Sequence, residues 1–205
     1  MLALIDVGLQ RGHRWLVRGL GLQVLGGQTW QIEGANGAGK TTLLRALAGL
    51  FPLGQGQMLW HGQPLLGDNW RAMREHMAWI GPVPAQKANL DARANLTLGC
   101  ALAGQAVNRQ AMDATLDACG LSAVAGRPVG RLSQGQRRLA ALARLGLPGA
   151  PALWLLDEPF VALDQRATGW LQQLMQRHVH GGGAVVFTAH GQTGHAYAGL
   201  RRLAL

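Results

Sequence analysis

The 205-residue sequence contains few of the residue types on which several classes of protein depend. Its two cysteines, Cys100 and Cys119, are too few for a disulfide scaffold, and we expect both to be reduced. The most apolar run, residues 145–156, is too short to cross a membrane and is interrupted by Pro148 and Pro151. The first residues include neither a basic segment nor a small-residue cleavage site, so we do not expect a secreted protein.

Charged residues are also scarce, at 14% of the chain against 48% hydrophobic residues, which is typical of a folded α/β protein. Because only ten residues are acidic, the formal net charge is +9, and apart from Lys40 and Lys87 every basic residue is arginine. Three explanations stay open for this charge: an ordinary solvated surface, a patch facing anionic lipid, or nucleic-acid binding. No basic run or aromatic stripe supports the third, so nucleic acid is not an expected partner.

The pattern of apolar residues predicts an α/β fold. Segments 2–9 and 15–25 alternate as an antiparallel pair of strands, whereas the strand pattern disappears from residue 90 to about 147, which predicts a helical insertion, with bounds of about 83–147. Strands and helices alternate elsewhere, which predicts a mostly parallel sheet with right-handed crossovers. We expect one domain, with a core of about 1–82 and 148–205 and a helical subdomain between. The other predicted strands are 29–33, 58–60, 77–80, 152–156 and 184–187, and the helices outside the insertion are 43–49, 69–76 and 165–179.

The segment 34–42 gives the most specific indication of the chemistry that the chain performs. It matches G-x-x-x-x-G-K-[ST], the phosphate-binding P-loop, and it lies between a predicted strand and a predicted helix. Its glycines allow backbone N–H groups to surround the phosphates of a nucleoside triphosphate, and a helix N-terminus favours an anion. Lys40 supplies positive charge, and the hydroxyl of Thr41 is suited to Mg²⁺. The predicted nucleotide-binding residues of this loop are Gly34, Ala35, Asn36, Gly37, Ala38, Gly39, Lys40, Thr41 and Thr42.

A second motif, Asp-Glu-Pro at 157–159, ends the predicted strand 152–156. In open α/β sheets, ligands bind at the carboxyl ends of the strands, so both carboxylates are expected beside the P-loop. Asp157 is predicted to hold Mg²⁺ through a water molecule, and Glu158 to orient or deprotonate the attacking water. A helix cap or a surface charge is the alternative, but the five apolar residues in front argue against it.

A third motif, Leu-Ser-Gln-Gly-Gln at 132–136, opens a predicted helix and forms a second candidate anion site. It has the form L-S-x-G-Q, and with it the whole chain resembles the ATP-binding cassette (ABC) superfamily. This resemblance implies that Ser133, Gly135 and Gln136 contact the γ-phosphate of ATP held by a second copy, in a homodimer that encloses two ATP molecules.

Two more segments match the superfamily in order along the chain. Residues 161–164 resemble its D-loop, and residues 187–190 resemble its switch segment, which implies that His190 is catalytic and contacts the γ-phosphate. For the remaining histidines we expect surface or loop positions: His13, His61, His76, His178, His180 and His195.

At a finer level the chain resembles the ATPase subunits of the haem exporter of bacterial cytochrome c maturation. The likeness rests on residues 59–65, 79–81, 142–145 and 157–160. It implies an ATPase that uses ATP and Mg²⁺ and works with integral membrane transporter subunits. It also implies a peripheral location on the cytoplasmic face of the bacterial inner membrane, and a role in haem delivery.

Two positions depart from the superfamily pattern. A glutamine that contacts Mg²⁺ usually follows the strand 77–80, but Val83 stands at that position, and Gln86 is the nearest candidate for the metal contact. An aromatic residue usually stacks on adenine near position 11, where this chain has Arg11, whose guanidinium can also stack on a base. Trp15 lies nearby, and we expect it to pack in the sheet.

Two other functions stay open at this point. One is a soluble ABC ATPase that acts on nucleic acid or ribosomes, although the chain has neither a second cassette nor a coiled-coil insertion. The other is a nucleotide-binding regulator that hydrolyses ATP poorly, which the apolar Val83 suggests.

Overall fold

The computed structural model describes residues 1–83, 85–189 and 199–205. Its strands are β1 (Leu2–Arg11), β2 (Arg14–Val24), β3 (Thr29–Glu33), β4 (Gln55–Trp60), β5 (Gln63–Pro64), β6 (Met77–Ile80), β7 (Leu153–Leu156), β8 (Ala184–Thr188) and β9 (Leu200–Ala204). Its α-helices are α1 (Lys40–Leu47), α2 (Asp68–Glu75), α3 (Ala92–Leu102), α4 (Arg109–Ala118), α5 (Gln134–Leu142) and α6 (Gln165–His180). Short 3₁₀ helices cover Ser122–Val124, Val129–Arg131 and Ala143–Gly146.

The chain divides into two compact units. The first, called the sheet unit below, comprises Met1–Trp79, Ala152–Glu158 and His178–Leu205. The second, called the helical unit, comprises Ile80–Pro151 and Pro159–Arg177. The region in which the strand pattern disappears from the sequence lies within the helical unit, which also includes most of α6.

Strands β1, β2, β4 and β5 form an antiparallel sheet in the order β2-β1-β4-β5. The predicted opening pair of strands is present as β1 and β2, which pair from Leu2 with Val24 to Arg11 with Arg14. Gly12 lies in the tight turn between them with φ of 59°, a value that suits glycine. The turn therefore carries Arg11 at the tip of a hairpin.

The other sheet has the order β6-β7-β8-β3-β9, and β3, β7, β8 and β9 are paired in parallel. Every residue of β7 and β8 is buried, which explains why β7 and all of β8 before Thr188 are continuously apolar rather than alternating. Strand β9 was not predicted from the sequence. It is a short edge strand whose Arg201 and Arg202 are exposed, so its pattern differs from that of a buried strand.

Helix α1 is held in the core that the two sheets of this unit share. Its Leu43, Leu44 and Leu47 are fully buried and belong to one hydrophobic cluster with residues such as Val7 of β1 and Leu155 of β7. Burial of each leucine is worth roughly 1.5–3 kcal/mol. The P-loop that precedes α1 therefore has a fixed support.

The helical unit has its own core and well-capped helices. The side chain of Asp91 accepts from the backbone N–H of Ala94 at the start of α3, and Asn108 caps α4 in the same way. Cys100 and Cys119 are free thiols within this core, as expected. Burial raises the pKa of Cys119 to about 11, so this thiol stays protonated and unreactive near neutral pH. None of the helices in the described ranges has the length and apolar character needed to span a membrane.

His178 contradicts the expectation of a surface or loop position. It lies on α6 and stacks on Trp154 of β7, with 3.8 Å between the ring centroids and 10° between the planes. Its Nε2 is 3.1 Å from the carbonyl oxygen of Ala152, to which it donates as an N–H. Burial lowers the pKa of His178 below 6.5, and hydrogen bonds to the backbone of Ala152 and Ala184 oppose that shift.

We expect this histidine to make stability depend on pH. Because its pKa is lower in the folded state, the unfolded chain binds its proton first as the pH falls below 6.5. The free energy of unfolding should therefore decrease from pH 7.5 to pH 5.5, as urea denaturation can measure.

The variant His178→Phe keeps an aromatic ring on Trp154 but cannot titrate, so this part of the pH dependence should disappear. His180→Gln, at an exposed position on the same helix, is the matched control and should retain it. If His178→Phe showed the same decrease between the two pH values as the wild type, the assignment would be wrong.

Candidate functional site

The P-loop connects β3 to α1 with its backbone in conformations that glycine permits. Gly34 and Gly39 have φ of 148° and 111°, and Gly39 is the residue that caps the N-terminus of α1. A Cβ on Gly34 would lie 2.9 Å from the carbonyl oxygen of Leu205, so the loop also needs the space that glycine leaves. The sequence therefore folds this segment so that backbone N–H groups lead into a helix N-terminus.

Lys40, the first residue of α1, is buried and folds back over the loop. Its Nζ donates to the carbonyl oxygens of Gly34 and Ala35, at 2.7 and 3.0 Å. A lysine ammonium has three donors, so one more is available for a phosphate oxygen. These contacts hold a positive charge directly at the loop.

A cavity of about 400 Å³ lies in front of the P-loop. It brings together most of the loop residues predicted to bind nucleotide, together with Arg11 and Glu158 from distant parts of the sequence. Leu16 of β2 is also part of it, although the sequence did not indicate this residue. The lining residues are Arg11, Leu16, Asn36, Gly37, Gly39, Lys40, Thr41, Thr42 and Glu158.

Arg11 and Trp15 both lie near the turn of the β1–β2 hairpin, but they have different surroundings. Arg11 lines the cavity, where its guanidinium is suited to stack on a base. Trp15 instead packs in the sheet against Gly8 and Gly54. A Cβ added to either glycine would lie within about 3 Å of the Trp15 ring. The guanidinium of Arg18 lies 4.4 Å from the centroid of the Trp15 ring. The expectation that Trp15 packs in the sheet agrees with these contacts.

The two carboxylates predicted to be metal-binding and catalytic, Asp157 and Glu158, directly follow strand β7. Asp157 is completely buried, and its Oδ1 accepts from the hydroxyl of Thr188 at 2.6 Å. The backbone N–H of Glu158 donates to the same hydroxyl oxygen at 2.9 Å. Glu158 has φ of 51°, a conformation that costs about 1–3 kcal/mol for a residue with a side chain. Reasoning from sequence gave no role to Thr188, which links the two carboxylate residues.

The hydroxyl of Thr41 and the carboxylates of Asp157 and Glu158 are hard oxygen ligands of the kind that Mg²⁺ prefers. Thr41 and Glu158 line the same cavity, and Asp157 directly precedes Glu158. The residues present are therefore chemically suited to a magnesium–nucleotide complex.

The Leu-Ser-Gln-Gly-Gln motif at 132–136, called the signature segment below, caps helix α5 in the helical unit. Ser133 Oγ accepts from Gln136 N at 3.2 Å, while Gln136 Oε1 accepts from Ser133 N at 3.1 Å, which forms a capping box. The hydroxyl hydrogen of Ser133 can still be donated to an anion. A Cβ on Gly135 would collide with the carbonyl oxygen of Ala162 in the D-loop segment, so this position requires glycine.

The segment that contains Val83 is attached to the same helix. Arg138 of α5 is 5% exposed, and its Nη1 donates to the carbonyl oxygens of Gly81 and Pro82, at 2.5 and 3.2 Å. Val83 itself is 80% exposed.

Gln86 lies in the helical unit with its side-chain amide against α5. In the orientation that satisfies both partners, its nitrogen donates to Arg137 O at 3.2 Å and its oxygen accepts from Ala141 N at 3.1 Å. A metal contact by Gln86 stays a prediction. His190 lies outside the described residues, and so does His195.

Comparisons with known proteins identify the family to which the chain belongs. A family model described as ABC transporter matches residues 17–161. The Pseudomonas aeruginosa protein named "Cytochrome c biogenesis ATP-binding export protein CcmA" is 40% identical over 190 residues, which cover 93% of this chain and 93% of that protein. A Pseudomonas putida protein of the same name is 42% identical over 196 residues, which cover 96% of this chain and 92% of that protein.

The fold also has counterparts among solved structures. One is the ATP-binding cassette MJ0796 in a dimeric post-hydrolysis state bound to ADP and Pi. It aligns with a TM-score of 0.80 at 23% identity, and the alignment covers 93% of this chain and 88% of that chain. This likeness establishes the fold.

The chain therefore belongs to the ABC transporter family, and it is an ATPase subunit of that class. Within the family it is similar to the CcmA proteins of cytochrome c biogenesis. The predicted family, the α/β fold class of ABC ATPases and the ATPase activity are confirmed. The roles of the individual site residues stay predictions.

We expect Arg138 to be important for the stability of the helical unit. The variant Arg138→Met removes the donor from the carbonyl oxygens of Gly81 and Pro82, which should lower the free energy of unfolding by about 1–3 kcal/mol in urea denaturation. Arg137→Met on the same helix is the control, because Arg137 is exposed and should tolerate the change. Equal effects of the two substitutions would contradict the assigned role.

Proposed function

We propose that the chain hydrolyses ATP to drive haem delivery for the assembly of c-type cytochromes. The observation that carries the hydrolytic role is that Glu158 and the P-loop residues Lys40 and Thr41 line one cavity. The export role is supported by the CcmA proteins, which are 40–42% identical over nearly the whole chain. The haem specificity rests on the resemblance to haem-exporter ATPases, since transport substrates are selected mainly by membrane subunits.

In the proposed reaction, the P-loop residues 34–42 surround the phosphates and Lys40 compensates their charge. Glu158 accepts a hydrogen bond from the attacking water and takes its proton as the bond to the γ-phosphorus forms. The bond between the γ-phosphorus and the oxygen that bridges it to the β-phosphate breaks, so ADP leaves and phosphate is released. Arg11 stacks on the adenine base. Thr41 and Asp157 would hold Mg²⁺, Asp157 through a water molecule, and the metal would neutralise charge on the phosphate oxygens when bound.

We propose further that two copies enclose two ATP molecules. Ser133, Gly135 and Gln136 lie in the helical unit, while the P-loop belongs to the sheet unit. The capping box leaves the Ser133 hydroxyl hydrogen and helix N–H groups for a phosphate that a second copy presents. The dimeric state of the cassette MJ0796 supports this arrangement by its shared fold.

The partners in this proposal are integral membrane transporter subunits of the haem-exporter type. The chain would bind them peripherally at the cytoplasmic face of the bacterial inner membrane. Its similarity to ATP-binding export proteins along nearly its whole length supports this location. In this role His190 completes the γ-phosphate contacts.

Lys40 and Glu158 should separate nucleotide binding from hydrolysis. The variant Lys40→Ala removes the charge at the P-loop, so the affinity for ATP should fall. The variant Glu158→Gln keeps the shape of the side chain but cannot accept the proton, so ATP should bind while turnover falls on the order of 100-fold or more.

Fluorescent-nucleotide titration and phosphate release measure the two steps on the same preparations. Glu75→Gln is a matched control, because Glu75 is an exposed glutamate at the end of α2. Wild-type turnover in Glu158→Gln would exclude Glu158 as the base.

A mixture of two inactive chains should test whether sites are shared between copies. In a dimer of Ser133→Arg with Lys40→Ala, shared sites leave one site with both changes and the other site intact. ATPase activity should therefore return on mixing, although each variant alone has no intact site. Activity that stays at the level of the separate variants, with mixed dimers demonstrated by cross-linking, would contradict shared sites.

A further inference from the structure

One buried hydroxyl connects the two carboxylate residues of the proposed site. Thr188, at the end of β8, is completely buried. Its Oγ1 donates to Asp157 Oδ1 at 2.6 Å and accepts from Glu158 N at 2.9 Å. The proposed ATPase mechanism gives no role to this residue, although it contacts the Asp157 carboxylate and the backbone N–H of Glu158.

We propose that Thr188 is a positioning residue for ATP hydrolysis, which sets the orientation of the Asp157 carboxylate and fixes the backbone from which the Glu158 side chain extends. The inference rests on the proposed function, since it assigns Thr188 a role through Asp157 and Glu158. Thr188 acts through these neighbours and does not itself touch the nucleotide.

The direction of the two hydrogen bonds supports this role. A hydroxyl has one hydrogen, and because the oxygen accepts from Glu158 N, that hydrogen is directed to Asp157. Asp157 Oδ1 must therefore be an acceptor, and this bond limits the rotation of the carboxylate. The two bonds share an oxygen and polarise each other, which strengthens the pair.

The backbone conformation of Glu158 is the second observation that supports a positioning role for Thr188. Glu158 has φ of 51°, a conformation that a residue with a side chain keeps only when its surroundings impose it. The bond from Glu158 N to Thr188 is a contact of that kind, made at the residue whose side chain enters the cavity. Loss of this bond would free the backbone to relax and would turn the carboxylate away.

The position in the sheet explains why a threonine suits this role. Strand β8 pairs in parallel with β7, so Thr188 follows the residue that faces Leu156, just where β7 ends. A β-branched side chain has a restricted χ1 in a strand, so the hydroxyl direction is fixed by the backbone. The hydroxyl therefore reaches the strand end at which both carboxylate residues stand.

Two pairs of variants isolate the hydroxyl. Thr188→Val has the same shape without the hydroxyl, whereas Thr188→Ser keeps the hydroxyl and loses the methyl group. Thr188→Ala differs from Thr188→Ser in the oxygen alone. Thr29→Val is the control, because Thr29 is a buried threonine of β3 that pairs with Val185, toward the opposite end of the strands.

We expect Thr188→Val to lower kcat by about 10- to 100-fold and to raise the Mg²⁺ concentration needed for half-maximal turnover. A second readout does not depend on activity: titration with a fluorescent ATP analogue, with Mg²⁺ and with EDTA. Thr188→Val should lose most of the gain in affinity that Mg²⁺ provides and bind as the wild type does in EDTA. Thr188→Ser and Thr29→Val should stay close to the wild type in both assays.

Wild-type turnover and wild-type Mg²⁺ dependence in Thr188→Val would overturn the proposal. It would also be overturned if Thr188→Val and Thr188→Ser were equally impaired, in proportion to a lower melting temperature and without a shift in Mg²⁺ dependence. If Thr188→Val does not fold, Thr188→Ala against Thr188→Ser provides the same comparison, and equal behaviour of that pair would contradict the role.

Failure of this inference and failure of the proposed function give different results. If Glu158→Gln retains turnover, the assignment of Glu158 as the base fails, whatever Thr188→Val shows. If Glu158→Gln is inactive and Thr188→Val behaves as the wild type, the proposed function stands and only the role of Thr188 fails.

Discussion

The candidate site depends on one constraint: three neighbouring parallel strands end at the same edge of a sheet. Strands β7, β8 and β3 are adjacent in the order of the sheet, and their pairing keeps their carboxyl ends together. The P-loop leaves the end of β3, the two carboxylates follow β7, and Thr188 ends β8. Segments that are more than 100 residues apart in the sequence therefore supply one site. Fully buried β7 and β8 give this edge its rigidity.

The residues at that sheet edge are only some of those that take part in the proposed ATP hydrolysis. The signature residues cap a helix in the other compact unit, where the capping box already uses the oxygen atoms of Ser133 and Gln136. Arg138 on that helix also holds the segment before Val83 by two backbone carbonyls. The signature segment and the segment before Val83 are therefore attached to one helix, α5.

The sequence was most informative where local pattern and chemistry coincide. The P-loop and the Asp157–Glu158 pair could be predicted because glycine spacing and an apolar strand before a carboxylate are visible locally. Thr188 could not, because its importance comes from the pairing of β7 with β8, which no local pattern records. The position of His178 could not be predicted because it depends on a contact with Trp154, 24 positions away in the sequence. Strand β9 could not be predicted because an edge strand with two arginines does not alternate as a core strand does.

The central claim is that this chain converts ATP hydrolysis into work on a membrane partner. Its most direct test is the rate of Mg²⁺-dependent phosphate release, measured for the chain alone and for the chain reconstituted in lipid nanodiscs with the membrane subunits that co-purify with it. We expect measurable turnover that rises in the complex. Nucleotide binding without turnover in either preparation would contradict it and would indicate a nucleotide-binding regulator instead.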